Sequence, residues 1–587
     1  MNYHLGKPDH AAQRKRSAYL ALGNLITFMK GERKYLFAAL LAILLNSTIN
    51  LLAPVLVGYT IDTYVQTKQY HGLLVFSGIL FSMFLLALGT SYMQTKLMGG
   101  VGQRMLFRLR NSVFTKLQEL PLSFFNVNKA GDLISRINND TDKLNQFFSQ
   151  SLMQFVGSIF VMTGAAIALL VIHLPLGAAA LGPALFLWIF TKFISPWVKR
   201  KNAENLKSVG NLSAEIQESL QNFKVIVAFN RRDYFRKKFE EANQQNYSTA
   251  VKAGLANNAF MPVYGFSSNI GQLIVVAFGI YLIMSGHFTI GLLISFLAYI
   301  NNFYGPLRQL AALWANFQVA MAGWDRIAVI LGLSSNLEIL TSQEQPSNGS
   351  LVEFRNVHFG YPEGKEVLHN NSFSLQKGKK YAFVGPTGGG KTTTAYLMSR
   401  LYDPNQGLVL FDGRDIRSYE SAEKAKKIGF ILQDPFLFTG TVKDNILYGN
   451  EEYAGYSGEE LYSEFIELGL TGLLSRFDNG LDTMVAAGGD SISLGQKQLV
   501  AFMRAVLRKP DLLILDEATS NIDTITEQML EHIIRNLPSS TTLVIIAHRL
   551  NTIENADEIF FVNSGQVVRA GSLQNAIHLL MHGKRET

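Results

Sequence analysis

Residues 385–392 read Gly385-Pro386-Thr387-Gly388-Gly389-Gly390-Lys391-Thr392, and they match every fixed position of the phosphate-binding pattern G-x-x-x-x-G-K-[ST]. The apolar run 380–384 before this loop predicts a strand, and the run 392–401 after it predicts a helix. Glycines let a backbone fold closely around phosphate oxygens, and the N–H groups at a helix N-terminus face the anion. The strand–loop–helix context therefore predicts a nucleotide-binding α/β domain.

Two side chains of the loop carry its chemistry. Lys391 places a positive charge near the terminal phosphates, and Thr392 offers a hydroxyl to Mg²⁺. We expect the whole loop, together with Thr393, to bind the nucleotide. A glycine-rich turn that happens to precede a lysine is the alternative.

The composition points to a membrane protein. Hydrophobic residues make up 48% of the 587 residues, and charged residues make up 17%, below the roughly 25% that is usual for soluble domains. The net charge is +8, but many of the basic residues lie in segments between apolar runs. Membrane orientation explains that distribution better than nucleic-acid binding, so no nucleic-acid partner is expected. The chain has no cysteine, which excludes disulfides, thiolate metal sites and cysteine catalysis.

Six apolar runs before residue 340 are near or above the roughly 18–20 residues that cross a bilayer. They cover approximately residues 35–58, 73–94, 147–172, 174–194, 268–285 and 290–315. Only the region around His173 and Pro175 separates the third run from the fourth, which indicates a tight hairpin. An apolar soluble helical domain is the alternative, but it would rarely contain so many runs of this length.

Lysine and arginine sort by side of the membrane. The connections 95–146 and 195–267 are rich in both, whereas the opposite loops contribute only Lys68. The positive-inside rule therefore predicts that both termini and these long connections face the cytoplasm. Both connections read as helices that continue past the lipid, with turning points near 121–129 and 222–231.

The predicted fold has two domains. Residues 1–335 form an all-α transmembrane domain of six spans with long cytoplasmic helical extensions. Residues 336–350, with Pro346 and Gly349, form a linker. Residues 351–587 alternate between β-rich and helical segments, which predicts an α/β nucleotide-binding domain.

A second motif follows the phosphate loop. Residues 512–517 form an apolar strand that ends in Asp516 and Glu517. Asp516 is expected to help hold hydrated Mg²⁺. Glu517 is expected to act as the general base that polarises the attacking water. A solvated acidic strand end is the alternative interpretation.

The motifs of the second half, in chain order, resemble those of the ATP-binding-cassette (ABC) family. They are Tyr361 after the first strand, Gln433 in Ile431-Leu432-Gln433-Asp434, the signature-like Ile492-Ser493-Leu494-Gly495-Gln496, Ser520-Asn521-Ile522-Asp523, and His548 before Arg549. Six spans followed by one cassette look like a bacterial exporter half-transporter of the multidrug and lipid-export type. The run from Phe124 to Asp140 also resembles that class, at its first coupling segment.

The resemblance implies a role for each motif. Tyr361 would stack on adenine, although a core tyrosine is an equal alternative. Gln433 would contact Mg²⁺ or the attacking water, and His548 would contact the γ-phosphate. Ser493, Gly495 and Gln496 would bind the nucleotide held by a second chain, and Asp523 would cross the interface between the two chains.

The signature region departs from the family pattern. Ile492 and Leu494 replace the common leucine and glycine, and Ala487 and Gly488 stand where exporters usually carry a glutamate and a basic residue. The departures leave both a homodimer and a heterodimer with one weakened ATP site open.

The resemblance implies ATP-driven export of an amphipathic solute, with ATP and Mg²⁺ as cofactors, a second half-transporter chain as partner, and a bacterial inner membrane as location. The alternative is an ATP-gated channel or membrane sensor that uses the same cassette. The spans lack the rows of charged residues that are typical of ion pathways, which argues against the channel and leaves the sensor open. Drug, lipid and peptide remain open as substrate classes. Helix packing and membrane-interface anchoring are the favoured roles for the aromatics of the last two spans, and an amphipathic pocket is the alternative. The residues concerned are Phe278, Tyr281, Phe296, Tyr299, Asn301, Asn302, Phe303 and Tyr304.

Overall fold

The computed structural model describes residues 5, 30–334, 337, 339–341, 349–361, 364–489, 491–516, 524–535, 537–546, 556–572, 574–575 and 578–579. Three predicted site residues, Glu517, Asp523 and His548, lie outside this part of the chain. Their roles therefore stay predictions. Most of the predicted linker 336–350 also lies outside it.

Helices make up the described chain from residue 30 to residue 331. They are α1 Arg33–Thr60, α2 Tyr70–Gln118, α3 Leu122–Val127, α4 Ala130–Ser135, α5 Thr141–Gln146, α6 Leu152–Ile172, α7 Leu174–Gln221, α8 Phe223–Ala228, α9 Arg232–Asn258, α10 Phe260–Met284 and α11 Ile290–Leu331. Short π-helical stretches at Ile61–Val65, Arg136–Asp140 and Phe147–Ser151 extend or join them. Six helical stretches of the described chain are long and apolar enough to cross a bilayer, which confirms the predicted fold class.

The helices run well beyond the apolar runs of the sequence. Helix α2 has 49 residues and α7 has 48, because their polar extensions keep helical geometry after the apolar segment ends. Hydropathy marks only the part of a helix that suits lipid. The short helices α3 and α8 lie at the two expected turning points.

The turn between α6 and α7 is built by one residue. His173 has an extended backbone, with φ −154° and ψ 99°, and its Nδ1 accepts a hydrogen bond of 3.2 Å from the N–H of Leu176. Pro175 lies in the first turn of α7, where its missing N–H costs nothing. These local features produce the tight hairpin that the sequence predicts.

The chain divides into two compact units that do not follow the chain order. One unit joins Leu5 and Gln118–Ala130, which contains α3, to the described chain after Gly332. The other unit holds the remaining long helices up to Gly332. The short helix α3 therefore belongs with the second half of the chain, although the transmembrane segments flank it in sequence.

Within the helical unit, α1 and α11 are in close contact. Asp62, just after α1, accepts hydrogen bonds from the N–H of Gly291 at 2.8 Å and from the Thr289 hydroxyl. Pro54 has no N–H to donate to the Asn50 carbonyl, and Asn302 of α11 donates to that carbonyl instead, at 3.2 Å.

Aromatic residues of α11 are part of this packing. Phe296, Tyr299 and Tyr304 are each 3% exposed or less. The Tyr299 hydroxyl donates to the Leu51 carbonyl, and the Tyr304 hydroxyl donates to the Ala180 carbonyl. These three rings therefore serve helix packing, as the favoured interpretation of the sequence expects.

The second half of the chain contains β1 Ser350–Gly360, β2 Glu366–Gln376, β3 Lys380–Val384, α12 Lys391–Met398, β4 Gln406–Phe411, β5 Arg414–Asp415, α13 Ser421–Lys427, β6 Ile428–Ile431, β7 Gly440–Thr441, α14 Val442–Leu447, α15 Gly458–Glu467, α16 Thr471–Leu474, β8 Met484–Val485, α17 Leu494–Leu507, β9 Leu512–Asp516, α18 Thr524–Arg535, β10 Thr542–Ile546, β11 Glu558–Asn563 and β12 Gln566–Arg569. Alternating strands and helices confirm the predicted α/β class.

A six-stranded sheet of order β12-β11-β3-β10-β9-β6 forms the centre of this domain. All of its neighbouring strands pair in parallel except β11 with β12. Strand β3 is buried on both faces, with Tyr381 and Phe383 in one core and Ala382 and Val384 in the other. Burial on both faces is the usual condition of parallel strands. A separate antiparallel sheet has the order β2-β1-β4-β5.

Because α1 and α11 are in close contact, we expect one added methyl group between them to destabilise the protein. A Cβ at position 291 would lie 2.0 Å from the Gly58 carbonyl oxygen and 2.5 Å from Asp62 Oδ2. Gly291→Ala should therefore push the helices apart and destabilise the protein by about 1–3 kcal/mol. Thermal unfolding of the purified protein in detergent would measure this as a lower midpoint. Gly89→Ala is the matched control, because a Cβ there meets nothing within 4 Å, and an equal fall in both variants would contradict the prediction.

Candidate nucleotide-binding site

The parallel strands bring the predicted site residues to one edge of the sheet. Asp516 ends β9 and pairs with Ile546 of β10, which pairs in turn with Phe383 of β3. The phosphate loop follows β3 directly. Gln433 comes two residues after β6, the neighbour of β9, and is exposed. The carboxyl ends of parallel strands share an edge, so the loop, Asp516 and Gln433 all lie at that edge of the sheet.

The phosphate loop has a backbone that glycine favours. Gly385, Gly388 and Gly390 have φ values of 147°, 80° and 110°. A Cβ at Gly385 would lie 2.0 Å from the Val562 carbonyl oxygen, so β11 supports the loop from behind. Pro386 is half-buried, while Thr387 and Gly388 are exposed at the front. The loop is thus held against the sheet, with its crest open to a ligand.

Lys391 and Thr392 lie at the start of α12. The Lys391 ammonium donates to the carbonyls of Gly385 and Pro386, at 2.9 and 3.0 Å, and the residue is 5% exposed. The Thr392 hydroxyl donates to Asp516 Oδ1 at 3.3 Å, and Asp516 is 1% exposed. A lysine and the first amides of a helix suit phosphate oxygens, and a hydroxyl beside a carboxylate suits Mg²⁺. The residues therefore fit both ligands.

Tyr361 belongs to a cluster of aromatic rings. Its ring meets Phe359 at 5.0 Å and Tyr402 at 5.2 Å, both edge to face, and its hydroxyl is 3.1 Å from Thr393 Oγ1. Burial raises the pKa of the Tyr361 phenol, and the Thr393 hydrogen bond opposes that shift. Tyr361 is half-buried. Its hydroxyl joins it to the helix that follows the phosphate loop.

A contact that the sequence analysis did not find joins α3 to this cluster. Asn126 of α3 donates a hydrogen bond of 2.5 Å to the Tyr402 hydroxyl. Tyr402 is 7% exposed, and Phe124 of the same short helix is fully buried. Burial raises the pKa of the Tyr402 phenol. An unbroken series of contacts thus leads from α3 through Tyr402 and Tyr361 to the phosphate-loop helix, within one compact unit.

The signature-like segment forms the N-terminus of α17. The Ser493 hydroxyl accepts from the N–H of Gln496 at 3.2 Å, and the Gln496 side chain accepts from the N–H of Ser493 at 2.9 Å. This reciprocal pair is a capping box. Ser493 is exposed and Gly495 is half-buried, so the start of the helix remains accessible to an anion.

The departure at residues 487–488 has a conformational basis. Gly488 and Gly489 have φ values of 68° and 74°, in the left-handed region that glycine favours. Lys497 of α17 donates to the Gly488 carbonyl at 2.8 Å. The turn before the signature is therefore held by α17 itself, and a long charged side chain at position 488 would strain it.

The fold and the site together define an ATP-binding cassette fused to a membrane domain. Two family descriptions match the sequence: "ABC transporter transmembrane region" over residues 36–307, and "ABC transporter" over residues 368–520.

Several known proteins are similar over most of the chain. The uncharacterized ABC transporter ATP-binding protein YfiC of Bacillus subtilis is 34% identical over 92% of this chain and 89% of its own. The fatty acid ABC transporter ATP-binding/permease protein of Mycobacterium tuberculosis is 34% identical over 84% of this chain and 77% of its own. The ATP-dependent lipid A-core flippase of Syntrophus aciditrophicus is 30% identical over 84% of this chain and 81% of its own.

The chain belongs to the ABC transporter family, as an exporter half-transporter. It is a multi-pass membrane protein that hydrolyses ATP and uses it to drive export. Half-transporters of this architecture generally form dimers.

The support of the phosphate loop by β11 gives a test of the site. A Cβ at Gly389 would lie 2.6 Å from the Val562 carbonyl oxygen and 3.1 Å from that of Pro386. Gly389→Ala should displace the loop and weaken ATP binding by at least about tenfold, since small shifts break several amide contacts at once. Binding of a fluorescent ATP analogue to the purified protein would measure the loss. Gly455→Ala, where a Cβ meets nothing within 4 Å, should bind as the wild type does, and unchanged binding by Gly389→Ala would reject this account.

Proposed function

We propose that the protein exports an amphipathic solute by alternating access, powered by ATP held between two copies of its cassette or between it and a related chain. The observation that supports this most is the separation of two anion sites in one chain. The phosphate loop lies between β3 and α12, whereas the capping box lies at the start of α17. The phosphate loop of one chain would be completed by the capping box of its partner, and the partner's phosphate loop by the capping box of this chain.

Each site residue has a proposed role at the nucleotide. Residues 385–390 and the first amides of α12 hold the phosphates, and Lys391 neutralises the terminal ones. Thr392 and Asp516 supply oxygens for Mg²⁺, which offsets phosphate charge when bound. Tyr361 supports the adenine ring and Gln433 contacts the water or Mg²⁺. Outside the described residues, Glu517 orients the attacking water, His548 contacts the γ-phosphate and Asp523 lies at the interface.

The partner's nucleotide would meet Ser493, Gly495 and Gln496. The Ser493 hydroxyl accepts from its own helix through the capping box, which leaves the hydroxyl proton available for a phosphate oxygen. Both homodimer and heterodimer are compatible with this arrangement. Co-purification of a second, related chain would identify a heterodimer.

Nucleotide binding would move the membrane domain through α3. The hydrogen bond between Asn126 and Tyr402, and the contact of Tyr402 with Tyr361, place the coupling helix two side chains from the adenine platform. Closure of the cassettes would shift α3 and, through the helices that flank it, open the opposite side. We propose a bacterial inner membrane as the location of the protein. The cassette and both termini would face the cytoplasm, because connections rich in lysine and arginine stay on the cytoplasmic side of a membrane.

Replacement of the proposed base tests the hydrolytic step. Glu517→Gln should lower ATP turnover by more than about 100-fold while ATP binding is retained, since a positioned general base contributes that order of rate. Phosphate release and nucleotide binding measured on the same lipid-reconstituted sample would separate the two effects. Glu452→Gln, an exposed cassette glutamate, is the control. Near-wild-type turnover of Glu517→Gln would refute the assigned base, and ATP-stimulated ion conductance without solute uptake would favour the channel alternative.

Removal of one hydroxyl tests the coupling contact. Tyr402→Phe keeps the ring but cannot accept the hydrogen bond from Asn126. Solute exported per ATP hydrolysed should fall by about fivefold, the factor expected for the loss of one hydrogen bond of about 1 kcal/mol. Uptake and phosphate release in proteoliposomes would give this ratio. Tyr462→Phe, on the exposed surface of α15, should leave the ratio unchanged, and an unchanged ratio in Tyr402→Phe would show that the contact does not couple the domains.

A further inference from the structure

Five amide side chains of the helical unit form two hydrogen-bonded groups that adjoin at Asn301 and Asn302. Asn46 and Asn50 lie on α1, Gln272 lies on α10, and Asn301 and Asn302 lie on α11. We call these five side chains the amide belt. None of its members belongs to the nucleotide site.

Hydrogen bonds connect the belt across three helices. Asn50 donates to Asn46 Oδ1 at 2.9 Å, and Asn302 donates to the Asn50 carbonyl at 3.2 Å. Gln272 donates to Asn301 Oδ1 at 3.0 Å. Asn46 also donates to the Ala87 carbonyl of α2 at 3.2 Å. The amides are therefore held in place by one another and by backbone carbonyls.

The belt lies within about one helical turn of depth. Asn50 is ten residues from the end of α1 at Thr60, Gln272 is twelve from the end of α10 at Met284, and Asn301 is eleven from the start of α11 at Ile290. All three ends lie on the same side of the bundle, and the rise per residue puts each amide about 15–18 Å from that side. A hydrocarbon core is about 30 Å thick. The belt therefore lies near the middle of the membrane.

The belt keeps unused hydrogen-bonding capacity. Asn50 and Asn301 are exposed, and Gln272 is half-buried. Among the described residues, none donates a hydrogen bond to Asn50 Oδ1 or to Gln272 Oε1. Polar groups are costly at this depth and mark functional surfaces in membrane proteins. The open acceptors therefore point to a ligand that brings hydrogen-bond donors.

The three helices that carry the belt have no charged residue close to it. Helix α10 has no charged residue from Phe260 to Met284, and α1 has none between Lys34 and Asp62. On α11 the first charged residue is Arg308, about 10 Å further along the helix axis than Asn301. A charged headgroup at this depth would lose its hydration without gaining a counter-charge. An uncharged headgroup that donates hydrogen bonds would lose little.

We propose that the amide belt binds the uncharged, hydroxyl- or amide-bearing headgroup of an amphiphile while the molecule is transported. The acyl or other apolar part would remain against the apolar surface of the spans. This assignment rests on the proposed export function and adds the substrate class. An uncharged headgroup would distinguish the substrate of this protein from the fatty acid and the lipid A that the names of two relatives specify.

The test compares fluorescent lipids that differ in headgroup charge. Proteoliposomes of the full-length protein would contain NBD-labelled glucosylceramide, NBD-labelled phosphatidylglycerol or an NBD-labelled fatty acid, and ATP-dependent translocation would be followed by dithionite quenching. The wild type should move the glucosylceramide at least about fivefold faster than either anionic probe, the factor expected for one additional satisfied hydrogen bond. Equal or faster movement of the anionic probes overturns the assignment.

Two variants test whether the amide belt causes the headgroup preference. Asn46→Leu combined with Asn50→Leu removes the open Asn50 acceptor together with the Asn46 acceptor that Asn50 fills, and it should lower the glucosylceramide rate by about fivefold relative to the anionic probes. Thr48→Val is the matched control, because Thr48 is an exposed residue of α1 whose hydroxyl donates to the Leu44 carbonyl of its own helix. An unchanged preference in the double variant overturns the belt.

The possible results distinguish a failure of the belt assignment from a failure of the proposed export function. If the wild type moves an anionic probe with ATP but not glucosylceramide, only the belt assignment fails. If ATP hydrolysis proceeds and none of the three probes moves, the belt assignment fails. A lack of ATP-stimulated uptake over a broad solute panel, in the same vesicles, is the outcome that would also reject export.

Discussion

The parallel pairing of β3, β10, β9 and β6 is the constraint on which the nucleotide site depends. Phosphate-loop glycines, a carboxylate and a glutamine that are far apart in the chain reach one edge only because these strands run in the same direction. The strands are buried on both faces, so each is fixed by two hydrophobic cores. The chemistry therefore rests on packing, since a slip of one residue in β9 would turn Asp516 away from Thr392.

Local motifs of the sequence predicted much of this arrangement. The phosphate loop is recognisable because its glycines, lysine and threonine are adjacent in the chain, and the helix that follows begins at Lys391. The hairpin at His173 was also readable, since both the cap and the proline are local. The pattern Ser493-x-x-Gln496 also encodes a capping box, a structural role that the same residues fill whether or not they meet a nucleotide.

Other features were out of reach because they depend on distant residues. Hydropathy located the six spans but not the helical extensions of α2 and α7, whose polar sequence has no lipid signal. The rings of Tyr299 and Tyr304 look alike in sequence whether they line a pocket or donate to backbone carbonyls, and only the fold distinguishes these cases. The donation from Asn302 to the carbonyl that Pro54 leaves unpaired likewise requires that α1 and α11 be adjacent.

The membership of α3 in the cassette unit has a consequence for synthesis of the protein. Asn126 and Tyr402 are 276 residues apart, so the ribosome releases α3 long before it makes the rest of the unit that buries Phe124. Contacts of such long range form late, after the domain that provides them has folded. A chain that stops early thus displays an unburied aromatic helix next to its membrane segments. The contact between Asn126 and Tyr402 therefore links the completion of the membrane domain to the folding of the cassette.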